Sequence, residues 1–279
     1  ALAHAAAAEL DAPFGVVTFE PHPRAFFAPD APDFRLMTAD ARARRLAKLG
    51  VERLYELPFD AGLASFSPEV FATDVLAAGL GVRHVVVGAD FRFGKGRAGD
   101  AETLRTLGTG LGFDVTVAPL VARAGEDFSS TAIRKALAEG RPEGAARILG
   151  HWHRIEGRVL RGDQRGRELG FPTANLALDG LHLPRFGVYA VLVDVLSGPY
   201  RGRYRGVASV GVRPTFGENR PNLEVYLFDF DGDLYGAELS VALVAFQRPE
   251  LRFDTAGALV GQMEADAEEA RALLARQDG

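Results

Sequence analysis

"SPEVFATDVLAAGLGVRHVVVG", residues 67–88, sets the architecture of the first half of the chain. Ser67 is placed to cap a helix, Pro68 takes the first helical position where its missing N–H costs nothing, and Glu69 sits beside the positive helix end. The helical stretch runs into glycine. The "HVVVG" (84–88) that follows is short, apolar and β-branched, the composition of a strand buried on both faces. The same alternation recurs on either side. "FGVVTF" (14–19) and "RLYELPF" (53–59) read as strands around the helix "MTADARARRLAKLG" (37–50), with Thr38 as N-cap, Asp40 in the first turn and Gly50 as the stop. "DAETLRTLGTGLG" (100–112) reads as a helix, "FDVTVAPL" (113–120) as a strand and "SSTAIRKALAEG" (129–140) as a helix ending at Gly140. Apolar strands alternating with capped helices predict an open parallel sheet covered on both faces. The opening helix, "ALAHAAAAEL" (1–10), has no strand before it. In this architecture a helix connects two strands, so a first strand is expected upstream, with the chain truncated at its N-terminus.

The pattern changes near "GHWHR" (150–154), where we place a boundary between residues 1–150 and 151–279. "RIEGRVLR", "FGVYAVLVDVL", "YRGVASVGV", "LEVYLFDF" and "ELSVALVAFQ" are strand-like and separated by glycine, proline and aspartate turns, Asp231-Gly232 among them. This spacing predicts an antiparallel barrel or sandwich. One helix closes the chain: Thr255 caps it, and Leu259, Val260, Met263, Ala267, Ala270 and Leu274 make an apolar face.

Composition narrows the function classes. The chain has 279 residues, 47% hydrophobic, enough for one large core or two small ones. Its formal net charge of −5 argues against a general nucleic-acid binder or an anionic-membrane binder, though not against an anionic small ligand held by local arginines. With no cysteine, zinc–thiolate sites and cysteine nucleophiles are excluded. No apolar run approaches the roughly 18 residues of a membrane span, and the start lacks the basic region of a signal peptide. A cytoplasmic protein fits these observations.

In open parallel sheets ligands bind beyond the carboxyl ends of the strands. "TFEPHP" (18–23), "GADFRFGKGRAG" (88–99) and "EDFSSTAIR" (126–134) lie on that edge. The last places Ser129, Ser130 and Thr131 at a helix N-terminus with Arg134 about one turn further in, an anion site or plain capping. "GKGR" lacks the spacing of a P-loop. His22, between two prolines, is a turn residue or a ligand contact. In the second half, "GRELGFPTANL" (166–176) brings Thr173 and Asn175 two residues apart, on one side of an extended chain. Two neutral oxygens suit Mg²⁺ when nucleotide phosphates and water supply the rest, or they mark a turn after proline. The preceding "RGDQRGREL" (161–169) is a flap over phosphates or a solvated loop. Glu224, a carboxylate within an apolar strand, faces solvent by alternation or serves as a general base. Asp229, Asp231 and Asp233 read as hairpin-turn acids.

Taken in order, "TFEPHP", "VVGADFRFG", "SSTAIR", "GRELGFPTAN", "GVYA", "SVGVRPTFG" and "LEVYLFDFDGDLYG" resemble the bacterial bifunctional riboflavin kinase/FMN adenylyltransferases, along nearly the whole chain. The resemblance implies a Rossmann-like nucleotidyltransferase domain followed by a riboflavin kinase barrel. It implies phosphorylation of riboflavin to FMN by ATP, then adenylylation of FMN to FAD with release of pyrophosphate. It implies that Thr173 and Asn175 bind Mg²⁺ and nucleotide phosphates beneath a flap containing Gly166 and Gly170, with Glu224 as the base. It also implies that Ser130, Thr131 and Arg134 hold phosphates, while Phe19, His22, Asp90, Phe91 and Phe93 line the flavin and nucleotide site. The partners implied are small molecules, not nucleic acid or membrane, and a homo-oligomer is left open. The family's histidine-x-glycine-histidine motif, expected after the first strand, does not occur in these residues, so weak adenylyltransferase activity is expected of this chain. Asp127 and Asp90 stand where some members carry arginine and asparagine. A riboflavin kinase alone, or a non-catalytic flavin- or nucleotide-binding module, are the narrower readings.

Overall fold

The computed structural model describes residues 2–119, 122–123, 126–162, 166, 169–215 and 218–276. Its contacts divide the chain into two units, Ala1–Ala31 with Arg42–Glu126, and Pro32–Ala41 with Asp127–Gly279.

In the first unit, β1 (Gly15–Glu20) runs parallel to β2 (Arg53–Pro58), from Gly15 opposite Arg53 to Glu20 opposite Pro58. β3 (His84–Gly88) runs parallel to β6 (Asp114–Ala118). Between them lie the two-residue strands β4 (Arg92–Phe93) and β5 (Gly99–Asp100). The parallel directions are those the strand–helix alternation demands. The expected continuous sheet, however, is two parallel pairs. A ladder needs neighbouring strands about 4.8 Å apart, and no strand among the described residues joins β1 to β3 in that way. The helices along residues 2–111 are α1 (Leu2–Glu9), α2 (Pro23–Phe27), α3 (Ala39–Lys48), whose first residues up to Ala41 are assigned to the second unit, α4 (Ala61–Ser65), α5 (Pro68–Val70) and α6 (Ala101–Leu111). Their caps follow the sequence. Thr38 Oγ1 accepts from the amide of Ala41 at 3.2 Å, Ser67 Oγ from Val70 at 3.3 Å, and Asp100 Oδ1 from Thr103 at 2.9 Å. The Thr103 amide and hydroxyl hold the Asp100 carboxyl below its ordinary value. After α5 the helix continues over Phe71–Gly79 in the wider π winding, so that a Cβ added at Gly79 would lie 2.8 Å from the Asp74 carbonyl oxygen. Phe71, Ala72, Leu76, Phe93, Leu104 and Phe113 form this unit's core.

In the second unit, α7 (Ser130–Ala138) and α8 (Pro142–Leu149) pack Ile133, Ala136, Leu137 and Ala145 together with Leu36. Ahead of α7 in sequence are the two-residue strands β7 (Ala122–Arg123), assigned to the first unit, and β8 (Glu126–Asp127), where the assignment changes. Then come β9 (Arg154–Arg158), β10 (Ala174–Ala177), β11 (Gly187–Val195), β12 (Gly202–Thr215), β13 (Glu218–Leu227) and β14 (Glu238–Arg248). They form one antiparallel sheet in the order β10-β13-β12-β11-β14-β9. An antiparallel bridge between Leu160 and Asn175 brings the two edges together, so the sheet is a nearly closed barrel. Alternate residues point inward: Leu176, Val191, Val193, Val210, Leu223, Val225 and Leu243 fill the interior.

The outer face of the barrel is covered by α9 (Ala256–Ala275), capped by Thr255, whose Oγ1 accepts from Ala258 at 3.1 Å. Ala270 and Leu274 pack against Ala190, Phe228 and Val244. The expected apolar face is therefore real at its C-terminal end. At its centre it holds a charge: Asp266 is 4% exposed and takes a two-point contact from Arg248, Nε to Oδ1 at 2.8 Å and Nη2 to Oδ2 at 2.5 Å. Apolar periodicity cannot reveal a buried carboxylate whose partner sits on another element.

Candidate active site

The polar residues of the second unit converge on the short strand β10. Its register sets Asn175 directly opposite Glu224 on β13, and Ser209 of β12 lies opposite Glu224 on the other side. Directly opposed residues share a face of a sheet. Leu223 and Val225 point into the barrel, so Glu224 points outward, as alternation predicts. It is nonetheless only 8% exposed. On the same side, two residues either way along β13, lie Asn222 and Tyr226, and Phe171 packs edge-on to the Tyr226 ring at 5.0 Å. The Asn222 amide Nδ2 donates to Glu224 Oε1 at 3.1 Å and to Asn175 Oδ1 at 3.4 Å; Asn175 Nδ2 donates to the Thr173 carbonyl oxygen at 3.4 Å.

Thr173 and Asn175 line a cavity of about 250 Å³, with Pro172 and Gly162 on one side and Phe230, Asp231, Gly232, Asp233 and Tyr235 on the other. Glu224 is not among its lining residues. Glycine makes room here. A Cβ on Gly162 would lie 2.6 Å from Asn175 Nδ2, and one on Gly166 would lie 2.4 Å from the Phe171 carbonyl oxygen. Gly166 accepts the Phe171 amide at 2.7 Å, and Gly170 sits at φ +85°, a conformation glycine adopts without strain. Of the expected flap, residues 163–165 and 167–168 lie outside the described residues. Asp229 forms a two-point contact with Arg271 on α9, at 2.8 and 2.9 Å, and no group of three or more His, Cys, Asp or Glu among the described residues could hold a metal.

In the first unit, the ends of β1 and β2 carry aromatic residues. Phe19 meets Phe59 edge-on at 5.6 Å, and Phe59 in turn meets Phe26 at 5.4 Å and Phe27 at 5.7 Å. Phe27 is 68% exposed. His22 caps α2, its Nδ1 accepting the Arg24 amide at 3.1 Å. Asp90 is exposed in the turn after β3, which is closed by the Phe91 amide on the Gly88 carbonyl at 3.0 Å. Phe91 stacks on Phe93 at 5.5 Å, but Phe93 is buried over Gly99, where a Cβ would lie 2.6 Å from its ring. Phe93 thus braces the loop from inside. Ser130, Thr131 and Arg134 belong to the second unit. Ser129 is the cap of α7, accepting Ala132 at 3.1 Å, and Ser130 is exposed in the first turn. Arg134 donates from Nε to the Phe34 carbonyl oxygen at 2.7 Å and lies over the Phe34 ring.

Sequence reading does not single out Asn222, Gly162, Phe27 or Phe59. The N-x-E spacing places Asn222 beside Glu224, but its approach to Asn175 depends on a strand pairing that no local pattern encodes.

Two family models match the chain: FAD synthetase over residues 1–132 and riboflavin kinase over residues 149–274. A bifunctional riboflavin kinase/FMN adenylyltransferase from Pseudomonas fluorescens is 43% identical over 96% of this chain and 85% of its own length. The chain belongs to the bifunctional riboflavin kinase/FMN adenylyltransferases. A member from Escherichia coli is 41% identical over 93% of this chain and 82% of its own. A solved structure described as a macrolide-efflux protein from Streptococcus pneumoniae superposes with a TM-score of 0.82 at 35% identity, covering 97% of this chain and 87% of the other. As a member of this family the chain carries both enzyme modules. Among its described residues no helix is long and apolar enough to cross a membrane.

Proposed function

We propose that this chain makes FAD from riboflavin in two ATP-dependent steps, with the riboflavin kinase step at the β10–β13 site. The pairing of Asn175 with Glu224 on adjacent strands, beside a cavity walled by Thr173 and Asn175, carries this reading. Glu224 accepts the proton of the riboflavin 5′-hydroxyl as that oxygen attacks the γ-phosphorus of ATP; the bond to the β,γ-bridging oxygen breaks and ADP leaves. The cavity is near the small end of ligand pockets, about 300–1,000 Å³, and suits part of the nucleotide better than both substrates together. Gly166 and Gly170 bind the nucleotide phosphates.

The donor set fits Mg²⁺. Thr173 and Asn175 offer neutral oxygens at the cavity wall, and Mg²⁺ draws its other ligands from phosphates and water. When bound with ATP, the ion neutralises charge on the phosphates. Uncharged protein ligands are reasonable where the substrate brings the negative charge.

In the second step the FMN phosphate attacks the α-phosphorus of a second ATP, giving FAD and pyrophosphate. The match to FAD synthetase supports this step. Phe19, His22, Asp90 and Phe91 line the flavin and nucleotide site at the strand ends, Phe93 supports that loop, and the exposed Phe27 extends the aromatic surface. Ser130 and Thr131 bind phosphate at the start of α7, with Arg134 beside them. The setting is the cytoplasm, where ATP is supplied. The partners are small molecules, in keeping with the formal net charge of −5, and a homo-oligomer is compatible with this reading.

The test is chromatographic product analysis with riboflavin, ATP and Mg²⁺. FMN scores the kinase step and FAD the adenylyltransferase step. Neither product would overturn the reading in favour of a binding module.

A further inference from the structure

We infer that Asn222 is a positioning residue of the kinase site: its one amide nitrogen holds Glu224 and Asn175 in fixed relation to each other. The inference rests on the kinase reading of Glu224 and Asn175. Asn222 Nδ2 carries two hydrogens, and both have an acceptor on the site: Glu224 Oε1 at 3.1 Å and Asn175 Oδ1 at 3.4 Å. Asn175 in turn donates to the Thr173 carbonyl at 3.4 Å. An amide-to-amide-to-carboxylate chain therefore runs from the Thr173–Asn175 pair to the base. It fixes which way each amide points, because Asn175 donates with nitrogen and accepts with oxygen.

The surroundings favour this role over simple packing. The ladder neighbours of Asn222 are Ala177 on β10 and Gly211 on β12, both too small to displace its amide. The space over Gly211 is taken by a carboxylate from outside the ladder: a Cβ there would lie 2.0 Å from Glu250 Oε1. The Glu224 carboxylate 3.1 Å away suits a donor at position 222 and penalises an acceptor. Phosphoryl transfer depends mainly on placing the attacking hydroxyl in line with the γ-phosphate. Here the group that receives the proton and the group that holds the nucleotide come from two strands, and Asn222 is the side chain that bonds to both.

The experiment compares Asn222→Leu, Asn222→Asp and Asn222→Gln with wild type and Glu224→Ala in steady-state riboflavin kinase assays, with thermal melts of each. Misplacement of about 1 Å is expected to cost 10- to 100-fold, so kcat of N222L and N222D should fall by about that factor while the KM values for ATP and riboflavin stay within about threefold. N222Q keeps the donor hydrogens and should recover most of the loss. In the E224A background, N222L should lower kcat by less than about threefold, since a positioning residue has nothing left to position. A purely structural residue would instead cost the same factor in both backgrounds. An N222D variant with wild-type kcat, or an undiminished effect of N222L in the E224A background, overturns the inference. Should N222L fail to fold, the isosteric N222D decides. If E224A itself leaves kcat unchanged, the kinase reading of Glu224 fails instead, a result separable from the failure of Asn222 alone.

Discussion

Glu224 is a carboxylate only 8% exposed, paired across the ladder with the cavity-lining Asn175, and its replacement is the most direct residue-level prediction. Glu224→Ala should lower riboflavin kinase kcat by about 10²–10⁴-fold, the usual worth of a general base, with little change in KM. Gly162 provides a subtler case. An added Cβ would meet the Asn175 amide at 2.6–3.0 Å and nothing nearer, so Gly162→Ala should shift that amide. We expect kcat to fall by about tenfold while the melting temperature moves by only a few degrees, a separation that steady-state kinetics and a thermal scan will show. His153 controls stability rather than chemistry. Burial, with smaller contributions from His182 and His151, pushes its pKa down to about 4 from 6.5. A base with a depressed folded pKa has no effect above the unfolded value. Between pH 6.5 and about 4 the unfolded chain takes up a proton that the folded chain refuses, so stability falls as pH is lowered. The loss from this group approaches about 3 kcal/mol at the acid end. Denaturant midpoints measured across that range should flatten in His153→Leu.

The barrel and its helix are held together at the element scale by both kinds of contact. Ala270 and Leu274 bury apolar surface, while Arg248 on β14 grips Asp266 on α9, which Gln262 also contacts at 2.9 Å. Removing one partner of such a pair leaves the other charge buried. Asp266→Ala should destabilise the second unit by about 3 kcal/mol, read from urea unfolding, and more than Arg271→Ala, whose contact with the exposed Asp229 lies at the surface. The caps at Thr38, Ser67 and Thr255 were legible in advance, and a serine cap before α7 was one of two readings there, because a cap depends on residues three positions apart. The π winding at Phe71–Gly79 and the split of the parallel sheet into two pairs were not, since both are set by how segments meet.

At the scale of the whole molecule, two units with separate cores should not unfold as one. Calorimetry should show a van't Hoff enthalpy below the calorimetric one. Mg²⁺ with ADP should raise the transition of the barrel unit, by about 2.7 kcal/mol at a hundredfold excess over Kd, and leave the other less affected. A single transition moving intact with nucleotide would refute this.

The sequence by itself determined the class of each half, the longer strands and most helix caps, and it singled out Thr173, Asn175 and Glu224 as candidates, because period, capping and motif spacing are written over short distances. Only the tertiary structure decided that Asn175 lies opposite Glu224, that Asn222 bonds to both, that Asp266 is buried, and that Phe93 faces the core. Each of these is a matter of register or packing between segments far apart in the chain. There the contact is fixed by the global minimum of burial and hydrogen bonding, and local preference does not choose it.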